Sequence, residues 1–65
     1  MTPELVDIMN GIVRYTKEKN RVELDKQFTK LDALALKRYE LIMFASKLEK
    51  HISMIDVKSV LNSSK

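Results

Sequence analysis

LDALALKRYELIMFASKLEKHISMI, from Leu31 to Ile55, is the most apolar stretch of the chain, and its reading decides the fold. Apolar side chains recur there at Leu31, Leu34, Leu41, Ala45, Leu48, Ile52 and Ile55. The gaps are three, four or seven residues, which places these side chains on one side of an α-helix. A strand would need strict alternation. Leu, Ala, Met, Lys and Glu dominate the segment and lose little rotamer freedom in a helix. No Gly or Pro follows Gly11, so neither of the usual helix breakers interrupts the pattern.

Within this stretch, Leu41, Ile42, Met43, Phe44 and Ala45 point all round the helix. A turn that is apolar on every side is normally covered on more than one side. One short partner helix does not supply that cover, so either the chain folds back twice or a second copy closes the core. Leu34, Leu41, Ile42, Phe44, Ala45, Leu48 and Ile52 are therefore the candidate core, dimer or partner interface. Arg38 shares the heptad position of Leu31, Ala45 and Ile52. Its stem can pack while the guanidinium reaches water, or it can act as a buried polar residue that fixes register.

Working outward, Thr2-Pro3-Glu4 is a helix start: a capping hydroxyl, a proline where no donor is needed, and an acid that complements the helix dipole. Leu5, Ile8, Ile12 and Tyr15 form the stripe of a first helix, widened by Met9 and Val13. Gly11 inside it costs about 1 kcal/mol relative to Ala unless it permits a close helix approach. The stripe then loses phase. Extended by threes and fours it reaches Lys19 and Val22, whereas the next stripe begins at Leu24, Phe28 and Leu31. Between them, Asn20 tolerates a left-handed cap and also suits the start of the next helix, with Glu23 completing a capping-box pattern. Thr29-Lys30-Leu31-Asp32 is a second box-like site, but the apolar phase runs straight through it.

The pattern predicts an all-α antiparallel helical hairpin in one domain, residues 1–65. Helix one spans about 3–19, the turn 19–21, and a long helix two about 22–51. A possible short third helix covers about 54–62, opened by a cap at Ser53, and the polar tail 62–65 frays. A helix two of some thirty residues would be about 45 Å long. Helix one covers barely half of that. This mismatch, with the small size of the chain, predicts a homodimeric bundle: sixty-five residues without cysteine, and with a single histidine, have neither disulfide nor metal as a staple.

Composition bounds the function more than it names it. The chain is 45% hydrophobic, too apolar for a disordered regulator, and its net charge is +3 with both signs interspersed. Arg14, Lys17, Lys19 and Arg21 cluster at the hairpin turn, a candidate contact for phosphate or an acidic partner. Cations at the end of helix one also simply complement its dipole, and only Tyr15 lies close enough for base stacking. The longest apolar run, Leu41 to Ala45, is too short to span a bilayer. The acidic start MTPELVD does not read as a signal segment, and a cytoplasmic chain is expected.

Glu23-Leu24-Asp25, in the context RVELDKQF, resembles the Ser-Gln-Glu-Leu-Asp signature of the small helical-hairpin phosphatases of the Spo-zero-E type. That resemblance implies dephosphorylation of an aspartyl phosphate on a response regulator. It covers three of five positions: Arg21 and Val22 stand where Ser and Gln belong, and the motif lies far from the end of the chain. Otherwise Glu23, Asp25 and Asp32 alternate with Lys26 and Lys30 as on a solvated face, and the solitary His51 suits a helix end. No catalytic set, cofactor or metal site is expected. The leading expectation is a helical interaction module that binds another protein through helix faces, with a nucleic-acid-associated regulator as the alternative and the phosphatase as a remote one.

Overall fold

Three polar side chains start helices where the sequence predicts caps. Thr2 Oγ1 accepts from the Leu5 N–H at 3.3 Å, Asn20 Oδ1 from the Glu23 N–H at 3.2 Å, and Ser53 Oγ from the Ile55 N–H at 3.2 Å. Each satisfies one donor that a helix start leaves without an intrahelical partner. The computed structural model describes residues 2–63. Among these the chain is all-helical: α1 (Pro3–Lys17), α2 (Arg21–Ala33), α3 (Arg38–Glu49) and α4 (Met54–Leu61). The tail expected to fray, 62–65, lies partly outside the described residues.

The long second helix is not formed. Four helices replace the expected two or three, because the segment expected to run from 22 to 51 is cut at 34–37 and ends at Glu49. α2 passes through Thr29-Lys30-Leu31-Asp32 unbroken, as the apolar phase predicts, and stops at Ala33. Ala35 then adopts a left-handed backbone, φ 49°, and its N–H donates to the Asp32 carbonyl at 3.0 Å. Leu36 turns back onto the core, half-buried. Lys37 becomes the N-cap of α3, and its N–H donates to Glu40 Oε1 at 2.9 Å. This is half of a capping box, since a lysine ammonium has no lone pair to return the bond. The break is held by burial of Leu36 and by Glu40, with no glycine or proline involved.

The first turn comes one residue earlier than expected, at 18–20 rather than 19–21. α1 ends at Lys17, and Lys19, rather than Asn20, takes the left-handed position, at φ 57°. Lys19 N–H donates to the Thr16 carbonyl at 3.1 Å and Asn20 N–H to the Tyr15 carbonyl at 2.9 Å. Together these are the paired bonds of a Schellman ending. Asn20 thus closes α1 with its backbone and opens α2 with its side chain.

One core cluster takes side chains from every helix: Leu5, Ile8, Met9 and Ile12 from α1, Leu24 and Leu31 from α2, Phe44 and Leu48 from α3, Val57 and Val60 from α4. α1 packs against all three other helices, most extensively against α2. Gly11 allows that approach: a Cβ there would stand 2.7 Å from Cδ and Oε1 of the buried Gln27. α4 lies against α1 and α2 and is tied by Arg21 Nε donating to the Leu61 carbonyl at 3.2 Å. The radius of gyration, 11.2 Å, is close to the roughly 11 Å of a compact chain of this length. The uncovered half-helix that motivated the homodimer is absent, because α3 folds back onto α1.

The two left-handed turns can be checked directly. Lys19→Gly and Ala35→Gly are each expected to raise stability by about 0.5–1 kcal/mol in urea titrations, because glycine removes the Cβ strain of a left-handed residue. A loss of stability at Ala35 would mean that the chain is helical through 34–37.

Candidate interaction surface

The run from Leu41 to Ala45 makes one turn of α3 apolar on every side, yet among the described residues α3 packs mainly against one helix, α1. Its inner side is shut: Phe44 is 3% exposed and Leu48 1%. Its outer side is open, with Tyr39 61%, Ile42 58% and Met43 55% exposed and Leu41 42%. Tyr39, Ile42 and Met43 are three and four residues apart, so they form one row on the helix surface, which Ser46 and Lys50 continue. Isolated exposed apolar side chains are ordinary on a soluble surface. Here three large ones are contiguous on one helix, and that continuity is what marks the face.

A cleft of about 290 Å³ opens at the head of this row, between the start of α1 and α3. Thr2, Leu5, Tyr39, Glu40, Met43 and Phe44 line it. Tyr39 and Met43 therefore belong both to the exposed row and to the wall of a concavity. A site of this kind receives an apolar side chain from outside, with little polar chemistry of its own.

The candidate interface residues separate into three groups. Phe44 and Leu48 are core, Leu34 and Ile52 are half-buried against it, and Leu41 and Ile42 face solvent, with Ala45 half-buried between the two sides. Ile55, which shares their period, is 78% exposed, because the cap at Ser53 restarts the helix in a new direction. Tyr39 is the residue that periodicity alone passes over. Its signal was the run from Leu41 to Ala45: when every side of a turn is apolar, the side away from the neighbouring helix is left open. Arg38, first residue of α3, is exposed.

The basic turn does not assemble into one patch. Arg14 Nε donates to Glu18 Oε2 at 3.1 Å, and its guanidinium lies 5.6 Å from the Tyr15 ring centre. That hydrogen bond and the Glu18 charge hold the guanidinium above its ordinary pKa. Arg21 is occupied by the Leu61 carbonyl and stands 3.9 Å from Asp25. Lys17 and Lys19 border one cleft with His51, Asp56 and Ser59, while Lys19 and Arg21 border another with Glu18. A carboxylate stands in each. Thr16 Oγ1, buried without a hydrogen-bond partner, lies beside the first.

Glu23 and Asp25 flank the buried Leu24 on α2. Lys26 Nζ stands 3.1 Å from Glu23 Oε2, and Thr29 Oγ1 donates to the Asp25 backbone carbonyl at 3.1 Å. Among the described residues no group of three or more His, Asp or Glu side chains is placed to hold a metal ion. No described helix is long and apolar enough to cross a membrane.

The two sides of α3 should respond oppositely to truncation. Phe44→Ala is expected to cost about 3–5 kcal/mol, since it empties core volume. Ile42→Ala and Met43→Ala are each expected to stay within about 0.5–1 kcal/mol, since water already reaches these side chains. Equal losses at Phe44 and Met43 in urea titrations would mean that both sides are buried.

No protein-family model, characterised protein or solved structure matches the chain. The surface chemistry of α3 therefore carries the functional reading.

Proposed function

We propose that this protein is a small helical interaction module that binds another protein through the outward face of α3. Regulators, inhibitors, adaptors and small chaperones work in this way. The observation that supports the reading is the contiguous exposure of Tyr39, Ile42 and Met43 on a helix whose opposite side is core. Contact would remove these apolar side chains from water at about 25 cal/mol per Å², and the adjoining cleft gives one partner side chain a pocket. Phe44 and Leu48 act indirectly, by clamping α3 so that the row is presented on a rigid support.

A second copy of the chain is the competing occupant of the same face, and it would make the protein a homodimer. The nucleic-acid reading gains little from the basic turn, where Arg14 and Arg21 are held by neighbours of the same chain. The phosphatase reading rests on three matched positions whose carboxylates stand beside Lys26 and Arg21.

The test is the double variant Ile42→Ser, Met43→Ser used as bait beside the parent chain. It is expected to keep its helical circular dichroism and to lose the proteins that the parent captures from nuclease-treated lysate of its own cells. Lys17→Glu with Lys19→Glu is expected to capture them normally. The reverse pattern, capture lost only with the lysine variant, would move the function to the basic turn.

A further inference from the structure

We infer that the partner on the outward face of α3 is an acidic amphipathic helix of another protein. The inference rests on the reading of α3 as an interaction face and adds the chemistry of its occupant. α3 and its two caps carry four cations, Lys37, Arg38, Lys47 and Lys50, against two carboxylates, Glu40 and Glu49, in a chain whose net charge is only +3. One of those carboxylates is already in use, because Glu40 accepts the Lys37 N–H. The ion pairs among the described residues, Arg14–Glu18, Arg21–Asp25 and Lys26–Glu23, all lie on or beside α1 and α2. None of the four α3 cations takes part in one. The outward row is thus apolar in the middle, with an excess of positive charge toward its ends.

Position sharpens the point. Arg38 precedes Ile42 by four residues, Lys47 follows Met43 by four, and Lys50 extends the line of Met43 and Ser46. Arg38 and Lys47 therefore each stand one turn from an exposed apolar side chain, and Lys50 stands one turn beyond Ser46. A helix is the complement of such a surface. Twelve residues give α3 a length of about 18 Å, or three turns, which matches apolar side chains presented every three or four residues. Ser46, the smallest side chain of the row, lets a partner helix approach closely, and the cleft beside Tyr39 and Met43 takes its largest apolar residue. Acidic residues flanking that apolar stripe would meet Arg38, Lys47 and Lys50. A second copy fits worse, because a twofold contact through this face sets the same cations against one another. An anionic bilayer would satisfy the cations and leave the cleft unfilled.

The test is selection of a displayed library of helical peptides of about 15 residues, with a fixed Leu/Ile stripe and randomised flanking positions, against the whole protein. Selected peptides are expected to be enriched in Asp and Glu at the flanks and to shift amide resonances of Tyr39–Lys50. Lys47→Glu with Lys50→Glu is expected to weaken them about tenfold or more, and exchanging their acidic flanks for lysine to restore binding to that variant. Neutral or basic peptides binding α3 would overturn the acidic partner and leave the interaction face standing. Selected peptides that bind elsewhere, or the absence of any, would overturn both. Two further measurements each overturn the inference by naming another occupant: binding to phosphatidylserine vesicles that α3 alone mediates, and a dimer in sedimentation that Met43→Lys dissociates.

Discussion

Ile12, Leu24, Leu48 and Val57 are the largest side chains sealed completely from water, and each comes from a different helix. Every helix depends on this shared contact. Isolated helices shorter than about 12–15 residues are marginal in water, and the four run from 8 to 15 residues. α4, with eight residues, is far below that limit. What holds it is Val57 and Val60 in the core and the bond from Arg21 to the Leu61 carbonyl. The short helices and the tight turns follow from the need to bring one apolar side chain from each to the same place.

That need also explains the shape of α3. Phe44 and Leu48 point to the common core and fix the helix by one side. α1 is its main neighbour, so the remaining apolar residues of the run from Tyr39 to Met43 are covered only in part. Redirecting the helix would bury Tyr39 or Ile42 only by pulling Phe44 and Leu48 out. The exposed row is therefore a consequence of sequence composition combined with a one-sided contact. Its cations intensify it, because charges without partners on the same chain make the face unsuited to stacking on itself.

Much of this was legible in the chain. The caps at Thr2, Asn20 and Ser53 carry short polar side chains at the right distance before an apolar run. The stripe Leu5, Ile8, Ile12 and the stripe Leu24, Leu31 are simple helical periods. The break at 34–37 was not legible, because its local signals are weak ones. Ala35 is a poor residue for a left-handed turn, and Lys37 is a poor cap. The stop is decided by tertiary contact: Leu36 gains burial only if the chain turns there. The same omission hid the outward face. With one continuous helix, Leu41 and Ile55 fall on the buried side; with the break and the restart at Ser53, they fall toward water. The all-round apolar turn did announce that one side would lack cover, though not which.

The central claim is the orientation of α3, and methyl and ring signals report it most directly. With a water-soluble paramagnetic agent added to the dilute protein, the Ile42 and Met43 methyl groups and the Tyr39 ring are expected to relax strongly. Those of Leu48, Phe44 and Ile12 are expected to be protected. Strong relaxation at Leu48 and Phe44 would contradict the account, because α3 would then not be folded onto the core. Protection of Ile42 and Met43 would contradict it equally, because the outward face would already be covered in the free protein.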